Sequence, residues 1–162
     1  MTSPITIIMS RLNIGHKAPD FSLLDNNNKK HNLSDYQNQW LILFFYPKDN
    51  TPGCTIEACQ FRNDYAEISA MNTKILGINT DSSESHVKFI DKQQLPFPLL
   101  SDNTGTISNL YGSLFKLGPI KFCKRHSFII DPQGNIARIY RKVTPSQHSQ
   151  QIMTDLKALQ IN

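Results

Sequence analysis

The stretch Leu41-Ile42-Leu43-Phe44-Phe45-Tyr46-Pro47-Lys48-Asp49-Asn50-Thr51-Pro52-Gly53-Cys54-Thr55-Ile56-Glu57-Ala58-Cys59 decides the fold. Its opening run, Leu41 to Tyr46, is apolar at consecutive positions, the pattern of a strand covered by helices on both faces, and Pro47 ends it. Beyond Lys48 to Asn50, residues Cys54, Ala58, Phe61, Tyr65 and Ile68 recur at steps of four, three, four and three, the stripe of an amphipathic helix that begins near Thr51. A thiol therefore stands in the first turn of a helix, just past the end of a central strand, where open α/β sheets carry their sites.

Working outward, Thr73 to Asn79 reads as a second buried strand, and Ser82 or Ser83 caps a helix whose apolar positions are Val87, Phe89 and Ile90. Upstream, Phe21, Leu23 and the Lys30 to Leu33 segment flank a turn at Asp25 to Asn28, an opening hairpin. Downstream, Leu99 and Leu100 predict a short strand at the sheet edge, and Thr106 to Tyr111 a short helix. Tyr111 to Lys124 reads as a loop through Gly112, Gly118 and Pro119. Ser127 to Ile130 and Ile136 to Tyr140 form a hairpin about the Asp131 to Asn135 turn. Thr144 as cap, Pro145 at the first helical position and Gln147 three residues after the cap predict the start of a last helix, with Ile152, Met153, Leu156 and Leu159 as its buried face. This order gives an α/β protein with a thioredoxin-like fold: a mixed central sheet sandwiched by helices, with an N-terminal β-hairpin extension.

At 162 residues, with no linker, repeat or charge block, the chain reads as a single domain spanning 1–162, in which 1–14 form a flexible N-terminal segment. The net charge of +4 comes from basic and acidic residues scattered along the chain, which argues against nucleic acid as a partner. The longest apolar run, Trp40 to Tyr46, falls far short of a membrane span. Met1 to Ser10 lacks a basic segment ahead of its apolar residues, so a cytoplasmic protein is expected, in a compartment that keeps thiols reduced. Three cysteines, Cys54, Cys59 and Cys123, are too few for a disulfide framework and lack the CxxC spacing of a zinc site.

Chemistry is then the better explanation for Cys54. The unsatisfied amides of a first helical turn favour a thiolate there, although thiolate formation alone cannot explain fast reaction with a poor electrophile. Donors that stabilise charge on a departing oxygen must contribute more, and the Thr51 hydroxyl, local amides and a distant arginine are the candidates. Cys123 reads as an incidental thiol, and His126 faces away from Arg125 on a strand. Glu57 either bonds Arg125 or solvates the helix surface, and it stays outside the catalytic set. His16, His31, His86 and His148 are dispersed and read as surface or structural histidines.

The pattern Pro-x-x-x-Thr-x-x-Cys at Pro47, Thr51 and Cys54 resembles the peroxiredoxins. The wider run from Phe45 through Cys59 is similar to their bacterioferritin comigratory, or Q-type, branch, and the likeness extends from Ala18-Pro19-Asp20-Phe21 to the Asp131 turn. The resemblance implies a thiol peroxidase that reduces hydrogen peroxide and organic hydroperoxides. Cys54 is then the peroxidatic cysteine, Cys59 the resolving cysteine, Thr51 the hydroxyl that contacts the peroxide, Pro47 the shield of the pocket and Arg125 the arginine that steadies thiolate and peroxide. It further implies no metal or other cofactor, a thioredoxin-like dithiol as reductant, and a monomer, since the disulfide forms within one chain.

Two readings compete. A redox-sensing interaction module would use the same cysteines without turnover. A general disulfide oxidoreductase is disfavoured, because such proteins carry a CxxC pair at the helix start.

Overall fold

The computed structural model describes residues 11–161; residues 1–10 of the expected N-terminal segment lie outside them. Nine strands run β1 (Ser22–Asp25), β2 (Lys30–Asn32), β3 (Trp40–Phe45), β4 (Thr73–Asn79), β5 (Leu99–Ser101), β6 (Leu114–Leu117), β7 (Ile120–Cys123), β8 (His126–Ile130) and β9 (Ile136–Tyr140) among the described residues. The helices are α1 (Pro52–Asn63), α2 (Tyr65–Ala70), α3 (Ser83–Gln93), α4 (Thr106–Leu110) and α5 (His148–Ile161), with a 3-10 turn at Leu33–Tyr36. Seven strands form one mixed sheet in the order β2-β1-β5-β4-β3-β8-β9, as the thioredoxin-like reading anticipated. The strands β3, β4 and β5 are parallel to one another, whereas β8 runs antiparallel to β3.

Alternation along β3 divides the interior in two. Ile42, Phe44 and Tyr46 point into a core shared with Cys54, Ala58 and Phe61 of α1, Phe89 of α3, and Ile152 and Leu156 of α5. Leu41, Leu43 and Phe45 point into the opposite core with Leu76, Leu100, Tyr111, Cys123 and Phe128. The helix-covered strand inferred from the unbroken apolar run is therefore the centre of the molecule. Gly77 on β4 leaves room for its neighbours' side chains, because a Cβ there would stand 2.6 Å from Leu99 and 2.8 Å from Phe44.

Several expectations need correction. The Cys54 to Ile68 stripe is carried by two helices, broken at Asp64, whose carboxylate accepts hydrogen bonds from Ser149 and Gln150 of α5. That tertiary contact is invisible to periodicity. Leu99 and Leu100 lie inside the sheet, because the opening hairpin joins it through β1 pairing with β5. The Tyr111 to Lys124 loop contains the β6–β7 hairpin, in which Phe115 stacks on Phe122. Its apolar face stays exposed, so no burial signal marked it. The last helix starts at His148; Thr144 instead closes a turn by accepting from the Gln147 amide.

Candidate active site

The register of β3 and β8 builds the site. Phe45 pairs with His126, so Arg125, just before β8, lies at the same end of the sheet as the Tyr46–Thr51 loop that leaves β3. Cys54 follows in the first turn of α1 and is 1% exposed. Arg125 Nη2 donates to the Cys54 sulfur at 3.4 Å, and Nη1 donates to Glu57 Oε1 at 2.9 Å. One planar guanidinium thus joins two residues of the same helix face, a fork that lysine could not reproduce.

Electrostatics tie the three groups together. Burial alone would lower the Arg125 pKa, but the Cys54 sulfur and the Glu57 carboxylate hold it above its ordinary value, so the group stays charged. Glu57 is wholly buried, and that burial outweighs the attraction of Arg125, pushing its pKa up to about 7. Its second oxygen, Oε2, has no hydrogen-bond partner. Glu57 was the residue that sequence reasoning left aside; the structure decides between its two readings in favour of the bond to Arg125. Gly53 completes the contact, since a Cβ there would lie 3.0 Å from Arg125 Nη2.

Thr51 occupies the N-cap position in extended backbone (φ −91, ψ 154), yet its side chain makes no capping bond. The hydroxyl donates instead to the Lys48 carbonyl at 2.7 Å. The sequence reading makes it a donor; with its proton engaged, the hydroxyl oxygen has only lone pairs left to offer and can act as an acceptor. Pro47 is half-buried and lines a groove of ≈ 330 Å³ with Lys48, Thr80, Asp81, Ile120, Lys121 and Phe122. A separate cleft of ≈ 460 Å³, lined by residues including Lys17, Leu41, Ile130 and Gly134, opens at the opposite ends of β3 and β8 and holds no thiol.

Cys59 lies on the same unbroken helix as Cys54, half-buried, and its thiol donates to Gln93 Oε1 on α3 at 3.4 Å. Both are free thiols. Cys123 is fully buried in the other core beside Ser108 at 3.1 Å, and burial pushes its thiol up to about 12. That suits an inert structural sulfur. His126 bonds Ser113 and Arg141 on the face away from Cys54, as strand alternation required. Among the described residues no group of three or more His, Cys, Asp or Glu is arranged to hold a metal ion.

Likeness to known proteins agrees with this arrangement. A family model described as the AhpC/TSA family matches residues 14–139. The chain is 38% identical over 152 residues to peroxiredoxin Bcp of Bacillus subtilis, an alignment covering 90% of this chain and 96% of that protein. The solved structure of a PrxQ mutant from Xylella fastidiosa superposes with a TM-score of 0.87 at 32% identity, covering 93% of this chain and 99% of that one. A structure of the Xanthomonas campestris bacterioferritin comigratory protein, solved for insight into its alkyl peroxide reduction activity, gives 0.83 at 29% identity, covering 90% and 98%. With a thiol at the head of a helix, an arginine on its sulfur and likeness across nearly its whole length, the chain belongs to the AhpC/TSA family, among the peroxiredoxins of the Bcp and PrxQ type.

Proposed function

We propose that the protein is a thiol peroxidase that reduces hydrogen peroxide and organic hydroperoxides through Cys54 and recycles through a disulfide with Cys59. The observation that carries this reading is the Arg125 guanidinium, which is fixed by Glu57 and donates to the Cys54 sulfur. A positive charge beside the sulfur is the natural counterion of a thiolate, and it also faces the oxygen that gains charge as the O–O bond breaks.

In the first step the Cys54 thiolate attacks the distal oxygen of ROOH, the S–O bond forms as the O–O bond breaks, and the RO⁻ fragment leaves as ROH after taking a proton. Thr51 accepts from the hydroperoxide O–H while Pro47 shields the pocket. The product is a Cys54 sulfenic acid. The Cys59 thiol then condenses with it, expelling water and closing the Cys54–Cys59 disulfide. Two electrons from a thioredoxin-like dithiol protein restore both thiols, and no bound cofactor takes part. Because the disulfide closes within one chain, the cycle needs no second subunit, and a monomer in a reducing compartment such as the cytoplasm suffices.

Thioredoxin-coupled consumption of hydrogen peroxide tests the reading. Wild type should turn over, Cys54→Ser should not react, and Cys59→Ser should consume about one equivalent before stalling, as expected when the resolving step is lost. Disulfide formation without turnover on any dithiol donor would instead favour the redox-sensing module.

A further inference from the structure

Behind the peroxide site lies a buried polar cluster that the cycle above does not use. Asp49, in the loop between β3 and α1, is 5% exposed, and its carboxylate receives four side-chain contacts. Tyr46 Oη donates to Oδ1 at 2.5 Å and Asn79 Nδ2 to the same oxygen at 3.2 Å. Ser85 Oγ donates to Oδ2 at 2.7 Å, and His86 Nδ1 meets Oδ2 at 2.7 Å. The Asp49 amide in turn donates to Asp81 Oδ2 at 2.8 Å. Burial would raise the Asp49 pKa, but the bonds from His86, Tyr46 and Ser85 hold it below the usual carboxylate range.

His86 is 0% exposed, and its other nitrogen, Nε2, faces the Leu100 carbonyl at 3.1 Å. The ring thus bridges a carboxylate on one side and a backbone carbonyl on the other. His86 is therefore held between β5 and Asp49 by both ring nitrogens. The His86–Asp49 pair is almost completely withdrawn from water, with side chains 0% and 1% exposed. Such a pair fixes geometry strongly, because removing one side leaves a buried polar group without its partner.

What it fixes is the loop that holds the peroxide. Asp49 stands between Lys48, whose carbonyl receives the Thr51 hydroxyl, and Asn50, which adopts a left-handed φ of 62°. Asparagine visits that region at low cost, so what ties this loop to the fold is the Asp49 carboxylate and its bonds to Ser85 and His86.

We infer that His86 is a positioning residue for peroxide reduction: through Asp49 it sets the Lys48–Thr51 loop, and with it the Thr51 oxygen that orients the hydroperoxide over Cys54. The inference rests on the thiol-peroxidase reading, since it gives His86 a role only if Thr51 meets a peroxide. Cys54 and Arg125 are held by α1 and β8 and do not depend on this anchor, so the effect is selective for peroxide over other thiol reagents.

The test compares two second-order rates of Cys54, with hydrogen peroxide and with iodoacetamide, in wild type, His86→Ala and His86→Asn at a temperature where each is folded. His86→Ala should slow the peroxide reaction at least about tenfold and leave alkylation within about twofold. His86→Asn places an amide N–H near the Nδ1 position and should recover part of the loss. Equal slowing of both rates, or a peroxide rate within twofold of wild type in His86→Ala, overturns the inference. If His86→Ala does not fold, Ser85→Ala removes one bond to the same carboxylate and must show the same selectivity at smaller size, or the inference fails. A wild type that reacts with iodoacetamide at Cys54 but not with peroxide would refute the peroxidase reading itself, a distinct outcome.

Discussion

Arg125 and Cys54 are 71 residues apart in sequence, yet Nη2 of the arginine stands 3.4 Å from the sulfur. The pairing of β8 with β3 makes that contact, and the Glu57 carboxylate on the other arm of the fork fixes its angle. Arg125→Lys keeps the charge and loses the fork. Its rate with hydrogen peroxide, followed by stopped flow, should fall by about 100-fold, the scale of losing one preorganised donor to a developing oxyanion. A loss under threefold would show that a point charge suffices.

Gly53→Ala separates stability from activity. The new Cβ would lie 3.0 Å from Arg125 Nη2, which donates to Cys54 while Glu57 holds the other arm through Nη1, so the guanidinium has to shift off the sulfur. Alanine also favours the helix by up to about 1 kcal/mol over glycine. Urea unfolding should show a fold at least as stable as wild type, while the peroxide rate falls severalfold.

Glu57 gives the fold a pH dependence whose sign follows from burial. Its pKa rises from 4.5 to about 7 on folding, so the folded state holds the proton more tightly than the unfolded chain. The stability this contributes is complete below pH 4.5 and is lost as pH rises through about 7, with a ceiling of about 3 kcal/mol. Glu57→Gln keeps an acceptor for Arg125 and cannot ionise. Between pH 5 and pH 8, wild type should lose more stability in urea than Glu57→Gln does, and parallel curves would rule out this assignment.

Closing the proposed Cys54–Cys59 disulfide would disturb α1. Cys54 and Cys59 sit on one continuous helix, where residues five apart have Cα atoms roughly 8 to 9 Å from each other. A disulfide needs about 4.4 to 6.8 Å, so the first turns of Pro52–Asn63 have to unwind. Hydrogen exchange of the amides from Cys54 to Cys59 should accelerate on the order of 100-fold in the disulfide form. Unchanged protection would contradict the intrahelical bridge.

The sequence makes the centre of the molecule legible because there every local signal agrees. Leu41 to Tyr46 is apolar throughout, Pro47 stops it, and the helical spacing begins at Cys54. The thioredoxin-like order and the Cys54–Arg125 pair follow from that run and the family likeness. What stayed hidden depends on contacts between distant segments. The break at Asp64 is set by Ser149 and Gln150, the choice between the two readings of Glu57 by Arg125, and the anchoring of Asp49 by His86. The β6–β7 hairpin escaped for the opposite reason: Phe115, Leu117, Ile120 and Phe122 are exposed, so its strands lack the buried alternating face that periodicity detects.

The central claim is that Cys54 takes the oxygen and Cys59 resolves it. Peptide mapping by mass spectrometry after about one equivalent of hydrogen peroxide tests this directly, with dimedone present for Cys59→Ser, because only a sulfenic acid forms that adduct. Wild type should show a Cys54–Cys59 disulfide, the variant a dimedone adduct on Cys54, and both should keep Cys123 reduced. A disulfide through Cys123, or an adduct on any residue other than Cys54, would contradict it.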